Sequence, residues 1–354
     1  MDLTKKIHYE DFRHNPDWQF PEVVYGENLI SEATNTNEKY AVVSMEIPWD
    51  LVKDRVVKQP EKVVFVPNMH IETMDAIVKE IPDDLQMVIG IGGGSSHDCA
   101  KYIALKKNLR LIQMPTIFGG DSVVCSAIGV RMEGRVKYIG HTVTDKIYVD
   151  YQLIRKAPSN LIRYGAADIL SSYTALLDWK LASEKGLEKY DKASMEFAKN
   201  ELLDRLKNNA GEIKCLTDKG IKCIVELFLE YARLANKIDT DRAQEGSEHF
   251  FCYNAEYVTK RTYVHGALLS LGIWVSASFF HNRKDDIEAI LNSLGLEYNL
   301  KSAGLTEDEF TNTLLSLKKF IEKGGYYYSV INEMNIDESI VKKILASMKN
   351  TNKN

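Results

Sequence analysis

Met87-Val88-Ile89-Gly90-Ile91-Gly92-Gly93-Gly94-Ser95-Ser96-His97-Asp98 is a continuous apolar run that ends in three glycines and then turns polar. The run reads as a strand buried on both faces, the kind that parallel sheets use, and a helix is expected to follow it. Glycines let the backbone approach a ligand closely and take φ > 0. A helix start adds free N–H groups and the positive end of the dipole. Together these make a pyrophosphate site. The spacing is not G-x-G-x-x-G, because Ser95 stands where the third glycine should be, and no Gly-Lys-Ser/Thr follows to make a P-loop. The next strand ends in Gln113-Met114-Pro115, without the ribose-binding acid of a Rossmann unit. The turn therefore points to nucleotide binding in a different α/β variant. The competing reading is a tight turn with no ligand, in which Ser95-x-x-Asp98 serves as a capping box.

Around this turn the chain alternates strands and helices. Strands are expected at 40–44, 63–66, 87–91 and 109–113, with helices at 71–81 and 97–106 between them, the pattern of a βαβ sheet domain. The runs 136–139 and 146–149 read as further strands or a hairpin. All eight prolines lie at or before Pro158, and the 196 residues after it contain none. Average usage of roughly 5% would place about ten there. Proline breaks helix interiors, so the proline-free stretch reads as helical. The expected domains are 1–158, α/β and dinucleotide-binding, and 159–354, all-α and metal-binding. Helices are expected over 161–183, 193–206, 222–236, 242–258, 264–280, 287–294, 307–323 and 338–348, with a Thr306-x-x-Glu309 capping box opening one of them. The polar tail 349–354 is expected to fray.

Composition narrows the function classes. The 354 residues carry a net charge of −5, which gives no global pull toward nucleic acid or anionic membrane. No apolar run of about 18 residues implies a membrane helix. Met1-Asp2-Leu3-Thr4-Lys5-Lys6 lacks the apolar stretch of a signal peptide. The five cysteines include no C-x-x-C pair, so neither a disulfide framework nor a zinc ribbon is expected, and a reducing, cytoplasmic compartment is.

Two histidines stand in suggestive helical settings, His249 in Gly246-Ser247-Glu248-His249 and His265 in Val264-His265-Gly266. Sixteen residues on one straight helix span about 24 Å, too far for one ion. A shared metal therefore requires a turn near Lys260-Arg261-Thr262. Asp168, flanked by small and apolar residues, is the natural third ligand, because a buried acid needs a cation or hydrogen bonds. The alternative is an acid that complements a helix dipole. One Asp and two imidazoles would leave an open position on Zn2+, the catalytic arrangement.

The ordered set Gly92-Gly93-Gly94-x-x-x-Asp98-x-x-Lys101, Pro115-Thr116-x-x-x-x-Asp121, Ala157-Pro158-x-x-x-x-x-x-Gly165-x-x-Asp168, Gly246-Ser247-Glu248-His249 and His265-Gly266 resembles the iron-containing alcohol dehydrogenase superfamily. Over about residues 20–285 it is similar to the glycerol dehydrogenase and sn-glycerol-1-phosphate dehydrogenase branch. The resemblance implies the dehydroquinate synthase-like fold, with an N-terminal α/β domain, an all-α C-terminal domain and an active site in the cleft. It implies NAD or NADP on Gly92, Gly93, Gly94, Ser95, Asp98, Thr116 and Ser126, and Zn2+ or another divalent metal on Asp168, His249 and His265. Asp121 matches the acid that holds the substrate hydroxyls. The implied reaction interconverts glycerol or sn-glycerol 1-phosphate with dihydroxyacetone or its phosphate. The implied partner is a polyol or polyol phosphate, bound by a homo-oligomer. There are departures. Met45, beside Glu46, stands where the family often has a ribose-binding acid, and Tyr253 stands where glycerol-1-phosphate members have a histidine. Ala267 replaces a glutamate, and the cofactor-side serine falls at Cys125 or Ser126. Arg131, Lys137 and Arg163 are candidate cations for a substrate phosphate. A sugar-phosphate cyclase that uses NAD and a metal is the alternative enzyme, and a nucleotide-binding relative without turnover is a third class.

Overall fold

The computed structural model describes residues 20–189 and 191–351. They gather into two compact units. The first holds 20–165 with Leu216–Arg233; the second holds Ala166–Cys215 and the chain from Leu234 to residue 351.

Eight strands form in the first unit: β1 (Glu22–Gly26), β2 (Tyr40–Ser44), β3 (Lys62–Phe65), β4 (Met87–Gly92), β5 (Arg110–Pro115), β6 (Ala127–Met132), β7 (Arg135–His141) and β8 (Lys146–Asp150). Six make one sheet in the order β1-β8-β5-β4-β2-β3, and every pairing in it is parallel. Successive residues of the inner strands bury on opposite faces. Val43, Val88 and Leu111 join one apolar cluster, while Val42, Ile89 and Ile112 join the other. This two-sided burial is why these strands read as unbroken apolar runs rather than as alternating ones.

β1 and β6 were not expected. β1 is a three-residue apolar run between Glu22 and Gly26, and it forms by adding to the sheet edge beside β8, where Glu22 also pairs with Lys146 at 2.9 Å. β6 contains a glycine and an arginine, and it is held as a hairpin with β7 by the turn at Glu133 and Gly134, both with positive φ (53° and 71°). Of the two runs left open between strand and hairpin, 136–139 is therefore hairpin and 146–149 is sheet.

In the sheet the chain goes from β2 outward to β3, then returns to the other side of β2 as β4 and continues to β5. The order thus reverses between β2 and β4. Open α/β sheets bind ligands outside the carboxyl ends of the strands at such a reversal. Gly92 ends β4, and Ser44 ends β2 with its hydroxyl on the Ile91 carbonyl at 2.8 Å.

The second unit is helical. The expected helix 161–183 is three pieces, Ser159–Arg163, Gly165–Leu170 and Ser172–Glu184. At the second break Ser171 turns its hydroxyl onto the Asp168 and Gln244 carbonyls. The helix expected from 242 starts only at Ser247, because Gly246 is extended at its N-cap and Arg242 is buried in the preceding turn. Residues 193–206 carry a π-helical stretch, Ala198–Asp204. The Thr306 and Glu309 capping box forms as read, with bonds of 3.2 and 2.9 Å. The last helix continues through the expected frayed region to Thr351; residues 352–354, like the N-terminal 1–6 segment, lie outside the described residues. Among the described residues no helix is long and apolar enough to cross a membrane.

Helices Ser247–Thr259 and His265–Phe279 pack against each other after the chain turns at Lys260, which takes the left-handed φ of 56°. They approach closely at Gly272, where an added Cβ would lie 2.6 Å from the Glu248 carbonyl oxygen. That contact is backbone and cannot move aside as a side chain would. Gly272→Ala is therefore expected to destabilise the fold by about 1–3 kcal/mol, as overpacking does. Urea unfolding measures this, and an unchanged midpoint would show that the approach is not constrained.

Candidate functional site

Three side chains that are far apart in sequence converge in the helical unit. Asp168 comes from the short helix Gly165–Leu170, His249 from the first turn of Ser247–Thr259, and His265 is the first residue of the next helix. One ligand atom from each lies within 4.8 Å of the others. His249 Nε2 is 3.6 Å and His265 Nε2 is 3.5 Å from Asp168 Oδ1. These spacings suit a common ion: four ligands at about 2.1 Å from a tetrahedral Zn2+ stand about 3.4 Å from one another. Asp168 and His249 are buried, whereas the His265 side chain is 38% exposed, so the cluster opens on one side. Burial pushes the Asp168 carboxyl up, but the two imidazoles beside it overcome that and hold it well below the ordinary range. Burial likewise disfavours the His249 imidazolium, but the Glu245, Asp168 and Glu248 carboxylates raise it well above its ordinary value. The donor set of one carboxylate and two imidazoles, buried except on the His265 side, therefore fits a divalent metal.

A second layer of side chains holds these three residues. The Asp168 carbonyl accepts from Gln244 Nε2 and Ser171 Oγ, each at 2.7 Å. Glu248 faces His249 Nδ1 at 3.1 Å. Asp178 accepts from the Ser247 and Val330 N–H groups at 2.7 and 2.6 Å, which ties down the start of the His249 helix. Arg242 spends its guanidinium on Glu188 and on the carbonyls of Glu245 and Tyr328. Tyr253 donates to Glu245 Oε1 at 2.5 Å and stacks on Tyr326. Apart from Tyr253, this layer carries no role in the sequence reading. The available signal was a set of acids and one arginine set among apolar helix residues.

The glycine turn lies in the sheet unit. Gly92 has φ 148°, which L side chains rarely adopt, and an added Cβ there would meet Ser96 Oγ at 2.5 Å. At Gly93 a Cβ would strike Ile117 Cδ1 at 2.8 Å. Gly93 is the N-cap of helix Gly94–Lys107, and no side chain caps that helix. The Ser95 and Asp98 capping box therefore does not form. Asp98 instead pairs with the fully buried Lys101 at 2.6 Å. The Lys101 ammonium also donates to the Cys125 and Ala127 carbonyls at 3.0 and 2.5 Å, so it fixes the backbone on both sides of Ser126. Ser126 Oγ sits 3.2 Å from His141 Nδ1. Thr116 N–H donates to the Gly92 carbonyl at 2.8 Å, which brings Thr116 beside the turn. Asp121 opens a short 3-10 turn in the same unit, and Met45 stands 48% exposed at the end of β2. The candidate phosphate cations Arg131 and Lys137 do not converge. Arg131 is opposite Val136 and Lys137 is opposite Val130, so their side chains leave opposite faces of the hairpin.

The buried acids of the helical unit give its stability a pH dependence. Burial raises Asp178, Asp241 and Glu245 each to about 7. Unfolded, these groups titrate near 4. Between about pH 4 and 7 the folded, metal-depleted chain thus holds more protons than the unfolded one, and its stability falls as pH rises through that window. His249, raised as well, acts in the same direction, while Asp168, held low, changes state below the window. Metal ligands must be deprotonated, so added Zn2+ should stabilise more at pH 8 than at pH 6. Thermal melts in chelator across pH 5–8 are expected to show a falling Tm, and a flat or rising Tm would contradict this.

The chain has relatives. The family described as iron-containing alcohol dehydrogenase matches residues 26–158. The glycerol-1-phosphate dehydrogenase [NAD(P)+] of Nitrosopumilus maritimus is 25% identical over 341 residues, covering 93% of this chain and 95% of that one. The protein of the same name from Thermoplasma acidophilum is 23% identical, covering 93% and 97%. The crystal structure of a probable glycerol dehydrogenase from Sinorhizobium meliloti 1021 superposes with a TM-score of 0.68 at 18% identity, covering 96% of this chain and 99% of that one. Glycerol dehydrogenase from Schizosaccharomyces pombe gives 0.65 at 19% identity, covering 97% and 93%. Both units thus have the fold of these enzymes. Together the matches make the chain similar to the iron-containing alcohol dehydrogenases over residues 26–158 and to glycerol-1-phosphate dehydrogenases over most of its length, and give it the fold of the glycerol dehydrogenases.

Proposed function

We propose that the chain is an NAD(P)-dependent, metal-dependent polyol dehydrogenase that interconverts glycerol or sn-glycerol 1-phosphate with dihydroxyacetone or its phosphate. The observation that carries this reading is the convergence of Asp168, His249 and His265 within 4.8 Å. These three would hold the metal, with Zn2+ the choice that suits two imidazoles and one carboxylate. When bound, such an ion would supply Lewis acidity toward the substrate hydroxyl, and a nicotinamide would supply the hydride-transfer chemistry. The residues of the chain do the positioning. Gly92, Gly93, Gly94 and Ser95 offer backbone N–H groups to the dinucleotide pyrophosphate, supported by Thr116 and, through the Asp98–Lys101 pair, by Ser126. Asp121 orients a substrate hydroxyl or accepts its proton, a role worth roughly 10²–10⁴ in rate. The names of the curated relatives support NAD(P) and a glycerol-type substrate. The five cysteines are free thiols, which supports a reducing, cytoplasmic setting.

Reduction of dihydroxyacetone and of its phosphate, each with NADH and NADPH, with and without Zn2+, tests this directly. At least one pairing is expected to turn over, and Asp168→Ala or His265→Ala should abolish both metal binding and turnover. Normal activity in metal-depleted His265→Ala would end the metal reading. Phosphate release from a heptulosonate phosphate would favour a cyclase instead.

A further inference from the structure

The two ring nitrogens of His249 face different neighbours. Nε2 points to the Asp168 side, 3.6 Å from Oδ1. Nδ1 lies 3.1 Å from Glu248 Oε1. Glu248 is fully buried, and both of its oxygens already accept from other donors. Oε1 takes the Gly246 N–H at 2.7 Å, and Oε2 takes the Thr174 hydroxyl, also at 2.7 Å. Thr174 belongs to a different helix, Ser172–Glu184, and its other acceptor, the Ser171 carbonyl, is more distant at 3.2 Å. With both of its oxygens already accepting, Glu248 is placed as an acceptor for a third donor, and the 3.1 Å contact suits an N–H on Nδ1 of His249. In the neutral ring, the form that binds a metal, this leaves the Nε2 lone pair facing the cluster. A ring held in this way is both oriented and more basic toward a metal.

We infer that Glu248, steadied by Thr174, is a positioning residue that fixes the Nδ1–H form of His249 and thereby sets the affinity for a divalent metal. This rests on the metal reading proposed above. A purely structural role would need only the bond to the Gly246 N–H at the helix start. The contact to His249 and the hydroxyl brought from another helix are what a ligand-orienting role adds.

The test uses the full chain, stripped of metal, with Zn2+ affinity measured by competition with a chromophoric chelator. Melting of the metal-free protein is recorded in parallel. Glu248→Gln and Glu248→Ala are expected to weaken Zn2+ binding about 10–100-fold, the usual cost of losing such a partner. Thr174→Val, nearly isosteric, should weaken it several-fold without unfolding the chain. If Glu248→Ala does not fold, Glu248→Gln and Thr174→Val still decide the matter. Wild-type Zn2+ affinity in both of these, with or without a lowered melting temperature, would overturn the inference and leave the metal reading intact. No Zn2+ binding by the wild-type chain would overturn both.

Discussion

A carboxylate removed from water is stable only where positive charge or hydrogen-bond donors surround it. Asp168 is in that position. It is buried, and two imidazole Nε2 atoms stand 3.5 and 3.6 Å from one of its oxygens. Much of the helical unit is arranged to maintain this meeting. The turn at Lys260 folds His265 back toward His249, and the close approach at Gly272 lets the two helices pack backbone to side. Gly246 has the same function at the other side of the cluster, since a Cβ there would crowd Ala175, Asp178 and Glu248. Asp178 then anchors the helix start that carries His249. The cost is a set of acids held away from water, and their raised proton affinity is the sign of that cost.

The sheet unit follows a different constraint, that of backbone space. β4 can run into a helix at Gly92 only because that residue has no side chain, and Gly93 has Ile117 where a Cβ would be. The helix so started carries Lys101 into a fully buried place, where it meets Asp98 and two carbonyls of the 125–127 backbone. The pair that a capping-box reading would have separated is thus what ties the glycine turn to the segment bearing Ser126. In both units a buried charged side chain, Lys101 in one and Asp178 in the other, ties down a segment that carries candidate binding residues.

The parts legible in the sequence were those governed by local pattern. Buried parallel strands announced themselves as apolar runs, and the proline-free half is helical as expected. The ordered motifs single out Asp168, His249 and His265, and the fold brings those three together. The parts not legible depend on tertiary partners. β1 is a strand because β8 offers an edge, and β6 because the Glu133-Gly134 turn closes a hairpin. The break at Ser171 is set by the Gln244 carbonyl, 73 positions along the chain. Ser95 and Asp98 have capping-box spacing, but a buried lysine competes for the acid and wins. Glu248 and Thr174 gave no local sign of acting together, since only folding places their helices side by side.

The central claim is that Asp168, His249 and His265 bind one divalent metal ion. A crystal of the chain grown with Zn2+ and measured on both sides of the zinc absorption edge tests it most directly. The account predicts an anomalous peak about 2.0–2.2 Å from Asp168 Oδ1, His249 Nε2 and His265 Nε2. No peak there, or a peak elsewhere with the imidazoles turned away from Asp168, would contradict it.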